Sequence, residues 1–286
     1  MNDLIRLAIQ KSGRLSEDSV SLIKECGIKF NNGISTLRSP SSNFPLELLF
    51  LRDDDIPGYV SDGVADAGIV GDNVIEEKSK EIQKIESLGF AQCRLSIAVP
   101  KAMEYAGLKD IQGLHIATSY PKILSQYLST NNIKASIHEI SGSVEIAPGI
   151  GLAQAICDIV SSGSTLMSNG LKEVETVFKS EAILISNPNL TPSKQDILQQ
   201  LLFRIRAVNK AKNYRYILLN APDASIDKIL TILPGMKSPS ILPLREKGWS
   251  SIHSVVKENE FWKIIEDLKA AGAEGILVLP IEKMII

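Results

Sequence analysis

Between Glu145 and Leu166 the chain reads EIAPGIGLAQAICDIVSSGSTL. Two carboxylates, Glu145 and Asp158, precede a bend of small residues: Ser161, Ser162, Gly163, Ser164 and Thr165. Hydroxyls and backbone N–H groups on so small a bend can hold a tetrahedral dianion without a lysine. Ser/Gly bends are also ordinary connections, so the acids decide the reading. Carboxylates beside a phosphate repel it unless they accept hydrogen bonds from hydroxyls or face a Mg²⁺ ion. A phosphorylated ribose offers both, so a sugar phosphate is the ligand class these residues fit.

Cations cluster elsewhere. Lys11-Ser12-Gly13-Arg14-Leu15 follows the first apolar run, Leu4 to Ile9, and Arg52 closes another with Asp53, Asp54 and Asp55 behind it. Gly68-Ile69-Val70-Gly71-Asp72 again places a turn and an acid after an apolar stretch. Open α/β sheets bind ligands beyond the carboxyl ends of their strands, and arginine suits bidentate phosphate contact. The chain has no Gly-x4-Gly-Lys-[Ser/Thr] loop, no Gly-x-Gly-x-x-Gly opening a helix, no serine-hydrolase elbow and no His-Glu-x-x-His pair. Those fingerprints of other nucleotide, hydrolase and zinc chemistry are therefore missing.

The elements that must position these residues follow from hydrophobic period. Strands are expected at Leu4–Ile9, Leu46–Leu51, Ala67–Val70, Arg94–Val99, Leu114–Thr118 and Ile133–Ile140. Helices are expected from Ser16 to Cys26, stopped by Gly27, and after Asp54 as N-cap, with Ile56, Val60 and Val64 on one face. A third follows Pro121. Leu152, Ala155, Ile156 and Ile159 predict a helix from Gly151 to Val160, which puts Gln154 one turn before Asp158. Alternating strands and helices imply an α/β architecture with largely parallel sheets. A turn-rich break follows Asn187, and Ser193–Lys212 has the spacing of a long amphipathic helix. Beyond it, Tyr214–Leu219, Ile226–Leu233, Ser240–Leu244, Ser250–Val256, Glu260–Ala271 and Gly275–Leu279 alternate as β-α-β-β-α-β. That is the order of a ferredoxin-like domain.

The chain has 286 residues, room for about two domains or three small ones. Lys and Arg number 31 against 33 Asp and Glu, a net charge of −2, so no overall field draws the protein onto nucleic acid or an anionic membrane. The three cysteines, Cys26, Cys93 and Cys157, and the three histidines are scattered, which suits neither a disulfide framework nor a zinc cluster. No secretory signal and no run of about 18 apolar residues occurs, so a cytoplasmic protein is expected.

The run from Gly142 to Leu171, beginning Gly-Ser-Val-Glu-Ile-Ala-Pro, resembles the phosphoribosyl-diphosphate (PRPP) motif of the ATP phosphoribosyltransferase family. Lys11–Leu15, Arg52–Pro57 with Tyr59-Val60, Gly68–Asp72, Ala117–Pro121 and the tail Ile276–Met284 support the resemblance. It implies two α/β domains like those of periplasmic solute-binding proteins, with the active site in their cleft, followed by the regulatory domain of the long, histidine-inhibited form. The implied boundaries are 1–92 plus about 187–211, 93–186, and 212–286. It further implies that Glu145 and Asp158 hold the ribose hydroxyls and that Ser161, Ser162, Gly163, Ser164 and Thr165 grip the 5-phosphate. Lys11, Gly13, Arg14, Arg38, Arg52, Asp72 and Tyr120 are implied for ATP and pyrophosphate, with Lys11, Arg14 and Arg52 acting in the reaction. Met236, Ser240 and Ala273 are implied for the histidine effector. Mg²⁺ is implied to come with the substrate diphosphate, and the assembly to be a homo-oligomer, from dimer to hexamer, without a separate regulatory subunit. Gln154 departs from the motif, where an acid is expected. The rival readings are a passive solute-binding module of the same fold and a regulatory paralogue without turnover. The acids together with the hydroxyl bend weigh against both.

Overall fold

Short apolar runs such as Ile5–Gln10, Leu46–Leu51 and Ala67–Gly71 become buried strands, and amphipathic stretches between strands become helices. The computed structural model describes residues 3–30, 37–233, 235 and 238–285. In chain order the elements are β1 (Ile5–Gln10), α1 (Arg14–Glu25), β2 (Arg38–Pro40), β3 (Leu46–Leu51), α2 (Ile56–Ser61), β4 (Ala67–Gly71), α3 (Asp72–Lys78) and β5 (Gln83–Ser87). Then come β6 (Cys93–Pro100), β7 (His115–Thr118), α4 (Pro121–Thr130), β8 (Ser136–Glu139), β9 (Ala155–Val160), α5 (Ser164–Ser168), β10 (Leu171–Ser180), β11 (Ala182–Ser186) and α6 (Pro192–Lys212). The chain ends with β12 (Tyr214–Pro222), α7 (Ile226–Ile232), β13 (Ser240–Pro243), β14 (Trp249–Lys257), α8 (Glu258–Ala270) and β15 (Glu274–Pro280). Two compact units result: Met1–Lys24 with Ile28–Leu198, and Glu25–Gly27 with Gln199–Ile286. The division falls inside α6.

The larger unit holds two sheets. The first has strand order β2-β3-β1-β4-β11-β5. Its strands β1, β3 and β4 are parallel, so Lys11, Arg52 and Asp72 all follow carboxyl ends at one edge. Ile5, Leu7, Ile9, Leu48 and Ile69 are fully buried here, and each such side chain contributes roughly 1.5–3 kcal/mol. The second sheet, β10-β6-β9-β7-β8, has β7 parallel to β8 and β9, with β6 antiparallel to β9 and β10.

Three expectations are corrected. Residues 155–160 form the strand β9, not part of a helix from Gly151 to Val160. A short apolar run, Ala-Ile-Cys-Asp-Ile-Val, fits a buried strand and one helix face equally well by period alone, and the tertiary fold places it at the centre of a sheet. The first sheet regains the chain at Ala182, which pairs with Gly71, earlier than the expected return near 187. A single 3₁₀ turn, Asp53–Asp55, precedes α2, whose N-cap is Asp55 rather than Asp54; Val64 lies beyond the helix and is exposed.

The smaller unit contains the sheet β13-β14-β12-β15, all neighbours antiparallel. With α7 and α8 this is the ferredoxin-like β-α-β-β-α-β order. Ile217, Leu219, Ile252, Val256, Phe261 and Leu268 form its core. Among the described residues no helix is long and apolar enough to cross a membrane.

Candidate active site

Asp158 projects from β9, half-buried, and its Oδ1 accepts the Ile159 N–H at 2.8 Å. Glu145 lies in a 3₁₀ turn, Val144–Ile146, entered through Ser143 in the left-handed region at φ 49°. Burial pushes the Asp158 carboxyl above the usual carboxylate range, and the negative charge of Glu145 pushes it further. Asp158 thus feels a second acid. Gln154 lies apart. Its Oε1 accepts the His115 N–H at 2.8 Å, and four residues along an extended strand place it roughly 13 Å from Asp158 instead of one helical turn.

The bend itself lies at the carboxyl end of β9. Ser161, Ser162, Ser164 and Thr165 are exposed, and Gly163, at φ +80°, turns the chain into α5. That left-handed conformation suits glycine. The Ser162 and Ser164 hydroxyls lie 3.0 Å apart, and the Ser161 carbonyl accepts a guanidinium N–H from Arg94 at 3.2 Å.

On the first lobe, the Lys11 N–H donates to the Leu51 carbonyl at 2.8 Å, which brings Lys11 beside Arg52. Gly13 turns at φ +92° into α1, of which Arg14 is the first residue. Lys11, Arg14 and Arg52 are exposed, and none is in an ion pair among the described residues. Arg38 differs: it grips Glu47 through two hydrogen bonds of 3.0 and 2.9 Å. Asp72 opens α3 and binds Lys84 at 2.6 Å, and Glu76 shares the same lysine. Tyr120 precedes α4, and its hydroxyl accepts the Asn73 side-chain N–H at 3.2 Å. Burial, then the charges of Asp158, Asp53 and Asp54, hold that hydroxyl protonated well above the ordinary tyrosine range. One phenol thus feels acids of both lobes.

Sequence reasoning missed the groups around the two crossings between lobes. Cys93 pairs with Ser180 there, and Ser180 donates to Asn73 Oδ1 at 2.7 Å. Glu77 of α3 accepts the N–H groups of Lys122 and Ile123 at 2.9 and 3.0 Å, capping α4. A cavity of about 440 Å³ beside the crossings is lined by Asp72, Cys93, Arg94, Lys179, Ser180 and Glu181 among others; of the expected site residues only Asp72 takes part. No short motif in the sequence links these positions. Among the described residues no three His, Cys, Asp or Glu side chains gather as a metal-binding cluster.

In the smaller unit Ser240 opens β13 and is exposed. Ala273 is buried in the core, and its N–H donates to the Leu268 carbonyl at 2.9 Å. Met236 lies outside the described residues.

Two lobes joined by paired crossings, followed by a ferredoxin-like unit, define a two-lobed α/β protein of the periplasmic-binding-protein type with a C-terminal domain. An arginine-bound structure, Tv2483, shares that fold at TM-score 0.52 and 12% identity, covering 73% of this chain and 86% of that one. Within the class, the chain belongs to the ATP phosphoribosyltransferase family (HisG), whose model matches residues 52–207, while the HisG C-terminal domain matches 211–283. It is 66% identical over 285 residues to an ATP phosphoribosyltransferase of Cytophaga hutchinsonii, covering 100% of both chains. It is 56% identical over 283 residues to one from Phocaeicola vulgatus, covering 99% of this chain and 100% of the relative. The ATP phosphoribosyl transferase (HisG:HisZ) complex of Thermotoga maritima matches at TM-score 0.61 and 28% identity over 71% of this chain and 96% of that one. The protein is an enzyme that transfers the phosphoribosyl group of PRPP to N1 of ATP, releasing pyrophosphate, the first step of histidine biosynthesis.

Proposed function

We propose that PRPP binds with its ribose hydroxyls on Glu145 and Asp158 and its 5-phosphate in the bend of Ser161, Ser162, Gly163, Ser164 and Thr165. The observation that carries this reading is the exposed hydroxyl bend at the end of β9, directly beyond a half-buried carboxylate that feels a second acid. Lys11, Arg14 and Arg52, cations without an ion pair among the described residues, take the diphosphate and the ATP phosphates, with Gly13 letting the backbone turn between Lys11 and Arg14. Arg38 and Asp72 contribute only once freed from Glu47 and Lys84, and Tyr120 closes the site from the second lobe.

Adenine N1 attacks C1 of the ribose with its own lone pair while the bond from C1 to the diphosphate oxygen breaks, inverting C1. No side chain has to remove a proton. The acceleration comes from holding both substrates in line and from cations on the departing diphosphate. The Glu145 and Asp158 carboxylates are hard oxygen donors that would suit Mg²⁺, which when bound would further neutralise the leaving diphosphate.

Residues 211–283, which match the HisG C-terminal domain, support histidine binding on this unit near Ser240, and homo-oligomeric assembly. They also support activity without a separate HisZ-type subunit. A cytoplasmic location fits the biosynthetic role. The site reading is tested by Asp158→Asn and Thr165→Ala, assayed by the absorbance of phosphoribosyl-ATP. Each raises the KM for PRPP at least tenfold and leaves that for ATP within twofold, whereas equal effects on both substrates reject it.

A further inference from the structure

Arg94, Ser96 and Asp158 share one face of the second sheet. β6 and β9 run antiparallel with Ser96 opposite Asp158 and Arg94 opposite Val160, and directly opposed residues project to the same side. A cation so placed would ordinarily be drawn to a half-buried carboxylate. It goes elsewhere. Arg94 Nε and Nη2 each donate to Glu173 of β10 at 2.5 Å, and the Ser96 hydroxyl donates to the same carboxylate at 2.8 Å. The remaining Nη1 donates to the Ser161 carbonyl at 3.2 Å. The charge felt by Asp158 is that of another acid, Glu145.

We propose that Glu173 is a positioning residue for the PRPP site, holding Arg94 on the first carbonyl of the phosphate bend and away from Asp158. Two consequences follow, both resting on the PRPP reading given above. The Asp158 carboxyl stays free of an ion pair with Arg94 and open to substrate hydroxyls. The bend also gains direction, because the carbonyl of Ser161 and the N–H of Ser162 belong to one planar trans peptide and point opposite ways. Anchoring the carbonyl on Arg94 turns that N–H to the other side, where it is available to an anion.

The test uses the full-length enzyme with Glu173→Gln, Arg94→Met and the double variant, scored by KM for each substrate, kcat and thermal midpoint. Glu173→Gln is expected to raise the PRPP KM at least tenfold with the ATP KM within twofold. It frees Arg94 to neutralise Asp158, so adding Arg94→Met should recover at least threefold of that loss. A merely structural pair would give no such recovery. A folded Glu173→Gln with PRPP KM within twofold of the wild type overturns the proposal, as does a double variant worse than either single one. Should Glu173→Gln not fold, Ser96→Ala, which loosens the same carboxylate, must raise the PRPP KM at least threefold or the proposal fails. Asp158→Asn separates the two levels. If it raises the PRPP KM and Glu173→Gln does not, only the positioning role falls. If neither moves it, the PRPP reading falls and takes this role with it.

Discussion

The side-chain amide of Asn73 on α3 donates to the Tyr120 hydroxyl at 3.2 Å, while its oxygen accepts from Ser180 at 2.7 Å. One buried amide thereby joins the first lobe, the entrance of α4 and the end of β10. Asn73→Ala leaves two hydroxyls without this partner, and unmade buried hydrogen bonds cost about 1–3 kcal/mol. Urea denaturation should show a loss of that size. Tyr120→Phe, which leaves only the amide N–H unpaired, should cost less.

Asp158 carries the cost of its role. Its carboxyl is raised by burial and by Glu145, so the folded state takes up a proton more readily than the unfolded one. The sign follows: this group favours the fold below its unfolded pKa and opposes it increasingly as pH rises toward the folded pKa. Asp158→Asn, which cannot ionise, should be at least as stable as the wild type by calorimetry at pH 7 while binding PRPP worse. In the wild type the acid limb of kcat/KM for PRPP should lie above the ordinary Asp range, and the substitution should remove it.

Much of this arrangement is legible in sequence, and the reasons differ by element. β1, β3 and β4 are apolar runs closed by Gly or by a charged residue, and both their limits and their chemistry-bearing followers, Lys11, Arg52 and Asp72, can be read directly. The ferredoxin-like unit is legible for the same reason. β9 is not, because Leu152, Ala155, Ile156 and Ile159 imitate a helix face. β10 is obscured by Lys172, Glu173, Glu175 and Lys179, charges that suggest a solvated segment until Arg94 is seen to take one of them. Pairings such as Asn73 with Tyr120 depend on the paired crossings, which no local pattern encodes.

Glu77 is a second tie of that kind. Its carboxylate accepts the first free N–H groups of α4, satisfying donors that the helix cannot and placing negative charge at its positive end. Glu77→Ala should cost about 1 kcal/mol. Hydrogen exchange should locate the effect, with faster exchange at the amides of Lys122 and Ile123 and little change at the β9 amides.

Gly13 isolates backbone geometry from packing. Its φ is +92°, and a Cβ there would meet nothing within 4 Å, so Gly13→Ala costs only the left-handed strain of about 1–2 kcal/mol. Gly113 is matched, with φ +80° and equally open space, but it precedes β7 of the second sheet. Both alanine variants should lose comparable stability in chemical denaturation. Only Gly13→Ala should also lower kcat, by roughly tenfold if about 1.4 kcal/mol of positioning is lost, because relieving the strain shifts Lys11 and Arg14 on either side of it. Equal rates in the two variants would show that the turn serves α1 alone and that these cations do not act on the departing diphosphate.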